Sequence, residues 1–353
     1  MSQKVVFTGL GMVSPYGEGL DAFRQNLAEG VSAIRPLTRF QEPGYRHDEA
    51  AEILEFDPRT ALGTRKLRVF DRTILLAMVA SEFLVRDMGI VDEERNNKHY
   101  APEEVAVILG TYGSLKSTLD FEAEVAQNPR HVVPSIFPNT IMNAAASYVA
   151  IRFDSRGLST TISNGETSSL EAIGLAHSLL SNGHASFFMA GGVEEISEHF
   201  AILKQKKMDY HKRENPILGE GSCMVAMERE DAVKARDGEV LGELVTFSNL
   251  FCPDPARAFQ GNLEAVHSAM GDTFSDIRHV YSAETSLLDE AGFFESEVVI
   301  HRLRDKLGYL CSATGAFQLA AALTNDQIKS GELVLLNNIS PVGNAAALVI
   351  RKA

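Results

Sequence analysis

The side chains of this 353-residue chain best suited to nucleophilic or metal chemistry are three cysteines and ten histidines. Cys223, Cys252 and Cys311 are widely spaced, odd in number and form no Cys-x-x-Cys pair. Neither a disulfide framework nor a zinc site is therefore expected, and each thiol reads as a small buried hydrophobe. Gly9, Gly11, Gly191 and Gly192 cluster at strand ends, but no Gly-x-Gly-x-x-Gly spacing leads from a strand into a helix. Close packing of backbone is expected there, not a phosphate loop. Lys204–Lys207 (KQKK) is a basic spot that could contact an acidic partner, but it reads first as a solvated helix face.

The elements that must position any site alternate in the manner of α/β proteins. Val5–Val13 is an apolar strand, and Asp71-Arg72-Thr73 opens a long helix that Gly89 closes. Glu104–Gly110, Leu158–Ser163 and Ala185–Gly191 read as strands, with a helix over Glu166–Leu180 between the last two. Pro138 is expected to start a helix through NTIMNAAASYVAIRF, whose apolar stripe over Ile141–Ile151 is core or subunit interface. The charged stretch Tyr45–Arg68 is expected at the surface. After strands at Ser222–Glu228 and Glu239–Leu250, the alternation repeats: strand His279–Ala283, helix Ala313–Ser330, then strands Leu333–Ile339 and Ala345–Ile350. Two similar halves are expected, 1–235 and 236–353.

Composition narrows the function. Hydrophobic content of 45% and charged content of 23% fit a soluble globular protein. No apolar run approaches the roughly 20 residues a membrane span requires, and the first residues run into a strand without a signal-peptide pattern, so a cytoplasmic protein is expected. A net charge of −14 without a long basic run disfavours nucleic acid and anionic membranes as partners. It also disfavours this chain as the main docking surface for another acidic protein.

Several segments in order resemble the β-ketoacyl-acyl-carrier-protein synthases of type II fatty acid and polyketide pathways. They are VVFTGLGMVSPYGEG with SAIRPLTRF (Ser32–Phe40), PSIFPNTIMNAAASYVAIRFDSRGLSTTIS (Pro134–Ser163), Ala172-Ile173-Gly174, FFMAGGVEE (Phe187–Glu195) and LGEGSCMVAMEREDAVKARDGEVLGELV (Leu218–Val245). The likeness covers nearly the whole chain. It implies the thiolase fold, with five α-β-α-β-α layers from two pseudo-symmetric halves, and dimerisation through the strand near Leu158–Ser163.

The departures from that family fall on its catalytic positions. Counting back from Ala172-Ile173-Gly174, Glu166 occupies the place of the nucleophilic cysteine. Glu284, in SAETS, stands where the family has the histidine of a His-Gly-Thr run. Tyr309 takes the place of the second histidine, and Arg304 lies near the position of the family's lysine. None of the ten histidines falls at either family position. His177 is about three turns along the helix from Glu166, and His301 is expected to be exposed. Condensation requires an acyl-accepting thiolate and two imidazoles, so this chain is not expected to catalyse it. Decarboxylating relatives lose only the cysteine, and the chain does not fit them either.

By resemblance, the chain is expected to be a non-catalytic chain-length factor that heterodimerises with an active ketosynthase and meets acyl carrier protein through that partner. Ile136, Phe137 and Thr140, in the segment the family passes to its neighbour, are the candidates for lining the partner's acyl channel. The pattern looks most like the partner subunits of polyene-forming systems such as aryl polyene clusters. No cofactor or metal is expected. Two alternatives stay open: a thiolase-fold homodimeric enzyme using Glu166 and Glu284 as acid and base, and a non-catalytic acyl- or carrier-protein-binding scaffold. Glu166 itself has a simpler reading, as an acidic residue in a helix's first turn that gains about 0.3–1 kcal/mol from the dipole.

Overall fold

A computed structural model describes residues 4–282 and 298–353. In chain order, β1 (Val5–Ser14), β2 (Val105–Gly110), β3 (Ser159–Ile162), β4 (Phe187–Glu194) and β5 (Gly221–Arg229) form one half of a large sheet. The other half is β6 (Gly242–Phe251), β7 (Ile277–Ser282), β8 (Val299–His301), β9 (Leu333–Ile339) and β10 (Asn344–Lys352). Across the sheet the order is β8-β7-β9-β10-β6-β1-β5-β4-β2-β3. Each half repeats the same arrangement: its second strand runs parallel to its third and fourth, and its fifth runs antiparallel to its fourth and first. The halves meet where Val6 and Phe7 pair with Glu243 and Gly242. This internal repeat, invisible as residue identity, is carried by the alternation of apolar strands and helices.

Helices complete five layers. α1 (Arg72–Asp87) and α3 (Ala144–Arg152) cover the outer face of the first half, and α6 (Pro255–Met270) covers that of the second. α4 (Ser168–Ser181) and α7 (Thr314–Thr324) lie between the two halves of the sheet and touch strands of both. Their sequences suit that place. Gly315–Leu323 of α7 is buried on every side, which a helix in the middle layer must be. Two of the outer helices, α1 and α6, are capped by aspartates: Asp71 accepts a hydrogen bond from Ile74 N, and Asp254 accepts one from Ala256 N ahead of Pro255. β1 is buried along its whole length because both of its faces are covered.

Gly11 shows why glycines sit in β1. A Cβ there would lie 2.3 Å from both Ala80 O and Leu84 N of α1. The strand and helix backbones touch, and no phosphate loop is formed.

Three sequence expectations are corrected. Pro138 does not start a helix: it lies inside a 3-10 turn, Pro134–Thr140, and α3 begins only at Ala144. Ile141 is extended between them, and Asn139 Nδ2 is spent on Val69 O. The stretch 45–68 is not wholly superficial, since Ala50, Ala51, Glu52, Ile53 and Leu62 are buried. His301 is only half exposed, stacked on Tyr281 at 4.3 Å and within 3.1 Å of His279. Among the described residues, no helix is long and apolar enough to cross a membrane.

Candidate functional site

The turn Gly165–Thr167, between β3 and α4, holds Glu166 at the front of a helix. Gly165 adopts φ +68, which favours glycine. The turn is then stitched shut: Ser168 Oγ donates to Gly165 O and accepts from Asn164 N, while Thr167 Oγ1 and Asn164 Nδ2 both donate to Glu171. Glu166 is thereby aimed inward, away from solvent.

α5 (Glu198–Tyr210) faces it, carrying Lys204. The Lys204 ammonium donates to Glu166 Oε1 at 2.8 Å, and the two side chains are only 2% and 8% exposed. This corrects the expectation that KQKK is a solvated face, because Lys204 points into the protein. A stretch of four polar residues conceals that two of them, Lys204 and Gln205, are buried, and only the three-dimensional positions of their partners reveal it.

Tyr309 completes the group by donating its hydroxyl proton to Glu166 Oε1. Its backbone is pinned on both sides: Tyr309 N donates to Ile217 O and Tyr309 O accepts from Gly219 N. The preceding Gly308 has φ +65 and packs so tightly that a Cβ would sit 2.7 Å from Leu218 O. Arg304 does not reach Glu166; its guanidinium lies over the Tyr309 ring, 5.6 Å from the centroid. Lys204 lies over the same ring at 4.5 Å. Glu166 and Tyr309 are thus brought together, whereas Glu284 lies outside the described residues.

Burial alone would favour neutral Glu166, but the charge and hydrogen bond of Lys204, helped by Tyr309, hold its carboxyl below the usual range. Burial likewise opposes the charge on Lys204. The Cys311 sulfur and the Glu166 carboxylate more than offset it and hold the ammonium above its ordinary range. The site is therefore a closed ion pair. Cys311, 3.6 Å from Lys204 Nζ, is fully buried, and burial pushes its thiol up to about 12. It is a neutral packing group at the left-handed turn into α7. Burial similarly pushes Glu194 and Glu195 up to about 8, Glu194 next to Ser312 and Glu195 repelled further by Asp71. Deeper still, Glu220 is held by Arg72 and Arg39 at 2.7 and 2.6 Å.

A cavity of about 190 Å³ opens beside the ion pair, lined in part by Glu166, Arg304, Tyr309, Gln318 and Asn338. Gln318 and Asn338 satisfy each other through two amide hydrogen bonds. Among the described residues no histidine hydrogen-bonds to Glu166, Lys204 or Tyr309. None forms a cluster of three or more His, Cys, Asp or Glu that could hold a metal ion. The described groups offer charge compensation and hydrogen bonding but no thiolate and no imidazole.

The channel candidates lie elsewhere. Ile136 and Thr140 are half-buried in the turn Pro134–Thr140, and Phe137 is 54% exposed. Val133, Ile141, Met142, Ile151 and Leu158 extend this exposed apolar surface towards β3, the edge strand of the sheet.

A family model described as "Beta-ketoacyl synthase, N-terminal domain" matches residues 2–246. The 3-oxoacyl-[acyl-carrier-protein] synthase 2 of Coxiella burnetii is 28% identical over 275 residues, 72% of this chain. That match covers 66% of the Coxiella protein, just under two thirds of its length. The corresponding Vibrio harveyi protein is 26% identical over 353 residues, covering 90% of this chain and 84% of its own. Among solved structures, one titled "The ishigamide ketosynthase/chain length factor" superposes with a TM-score of 0.87 at 25% identity, covering 99% of both chains.

Proposed function

Because the chain belongs to the β-ketoacyl synthase family, and because Glu166 is locked to Lys204 where that family's nucleophile would stand, we propose that it is a non-catalytic chain-length-factor subunit. In this role it heterodimerises with an active ketosynthase of a type II polyketide or fatty-acid-like system. It shapes that partner's acyl channel and meets acyl carrier protein through the partner.

The observation that carries this is the buried ion pair. Residue 166 supplies a carboxylate and no thiolate, and this carboxylate is already paired with an ammonium and hydrogen-bonded by a phenol. The same pair weighs against an enzyme built on Glu166 and Glu284. A carboxyl held below its usual range by a buried cation is a poor acid and a poor base near neutral pH.

The surface around β3 supports a partner. Phe137, Ile141, Met142, Ile151 and Leu158 are exposed apolar side chains beside an unpaired sheet edge, the kind of surface that another subunit covers. The ishigamide assembly named above, a ketosynthase with a chain length factor, offers the matching precedent for a heterodimer. Phe137 is our candidate to enter a neighbour's channel, because it is large and exposed on the 3-10 turn Pro134–Thr140.

The test is co-expression with an active type II ketosynthase from the same genome, followed by mass analysis of the polyketide released by wild type and by Phe137→Ala. Longer products from the alanine variant, in an intact 1:1 complex, are expected. Unchanged products would remove Phe137 from the channel, and failure to form the complex would remove the role altogether.

A further inference from the structure

The exposed turn Pro134–Thr140 is supported by a helix beneath it. Thr118 Oγ1, on α2 (Leu115–Gln127), donates to Thr140 O at 3.4 Å, and the rings of Phe121 and Phe137 are 5.8 Å apart. α2 has no buried residues of its own and leans on α5. Lys116 pairs with Glu198, and Tyr112, just ahead of α2, packs on Phe200 at 5.9 Å and accepts from Lys207 Nζ at 3.5 Å.

α5 in turn buries a narrow apolar side, Phe200, Ala201 and Met208, in a small cluster shared with Tyr309 and Cys311. Two buried polar side chains anchor it: Gln205 donates to Gly44 O and accepts from Arg46 N of the loop outside, and Lys204 ties it to the middle layer through Glu166, lying over the rings of Tyr309 and Tyr112. A contact path therefore runs from Glu166 through Lys204, α5 and α2 to Phe137.

We propose that Lys204 is a positioning residue for the partner-facing turn: its ion pair with Glu166 fastens α5 to the middle layer, and α5 and α2 hold Phe137 in place. A narrow apolar side leaves a helix's position underdetermined, and one buried directional contact selects among the nearby packings. The site that has lost its nucleophile thus acquires a mechanical task. This rests on the chain-length role above for its second measurement below, but not for its first.

The first measurement is hydrogen–deuterium exchange on the free chain. Lys204→Met should raise exchange over 115–142 by about 10-fold and leave the strands of 242–351 within about twofold of wild type, as expected for local rather than global opening. Lys204→Arg, which keeps the cation, should restore much of the protection. A uniform rise over the whole chain, or no rise, overturns the assignment. If Lys204→Met does not fold, Glu166→Gln combined with Lys204→Met leaves no lone buried charge and must show the same local rise.

The second measurement is product length in the heterodimer, with Phe137→Ala alongside. A shift with both variants is expected. A shift with Phe137→Ala alone sinks the positioning role and leaves the chain-length role standing. No shift with either sinks the chain-length role, while the exchange result still decides whether Lys204 positions the turn.

Discussion

Lys204 Nζ stands 2.8 Å from Glu166 Oε1, and almost nothing of either side chain reaches solvent. Breaking such a pair from one side leaves an uncompensated charge, which typically costs about 3–5 kcal/mol. Lys204→Met should therefore lower stability by about 3 kcal/mol, whereas Glu166→Met with Lys204→Met should recover most of that loss. Urea unfolding of the two variants beside wild type checks it. Equal losses in both would mean that the pair is not the source of the effect.

The fold was legible in the sequence because the strands are continuous apolar runs and the middle helix α7 is almost wholly apolar, patterns set by burial on both faces. The places where reading failed share a physical cause. Lys204 looks like one of several solvated lysines because its counter-charge comes from residue 166, far away in the chain. His301 looks exposed within a charged stretch, yet Tyr281 on the neighbouring strand supplies a ring for it to stack on. Pro138 has the chemistry to start a helix, but Asn139 is spent on a long-range hydrogen bond to Val69. Local sequence reports period and propensity, whereas a distant partner overrides both. Glu166 and Tyr309 are legible only by their distance from neighbouring motifs, since nothing in their own surroundings marks them as a pair.

Stability should depend on pH in two opposing ways. Glu166 is held below its unfolded value of about 4.5, so its contribution is present above that pH and is lost as pH falls through the folded value. Glu194 and Glu195 behave oppositely, with folded values pushed up to about 8. The native state keeps two protons that the unfolded chain releases, so stability declines as pH rises from about 4.5 to about 8. Burial lowers His301 to about 4, which makes stability rise with pH up to about 6.5, so the fall should be read by thermal unfolding between pH 6.5 and 8, and Glu194→Gln should flatten it. A wild-type midpoint that rises across this range would contradict the protonated state of these carboxyls.

Gly11→Ala tests the contact between β1 and α1. The added methyl would meet Ala80 O and Leu84 N at 2.3 Å, both of them backbone atoms that cannot swing aside. A loss of about 3 kcal/mol or more is expected, at the upper end for overpacking. The readout is the denaturation midpoint. A neutral substitution would mean that strand and helix separate more easily than their packing implies.

A thiol placed at position 166 should not by itself confer condensation. Glu166→Cys places a thiol at the front of α4 and in the lining of the cavity, where it should alkylate faster than Cys311, which is buried outside that lining. No histidine touches the site among the described residues, so the purified variant should trap an alkylating agent yet release no ketoacyl product. Peptide mapping after iodoacetamide and a condensation assay separate the two outcomes. Turnover by this single variant would show that the described groups suffice for chemistry.

The central claim is that this chain acts only with a catalytic neighbour. Native mass spectrometry of the chain mixed with an active type II ketosynthase from the same genome tests this most directly, read together with condensation by each protein alone and by the mixture. A 1:1 heterodimer, with activity in the mixture that survives Glu166→Gln here and vanishes when the partner's nucleophile is removed, is the predicted result. A chain that stays apart from the partner and turns over substrate by itself, with Glu166→Gln abolishing that turnover, would contradict it.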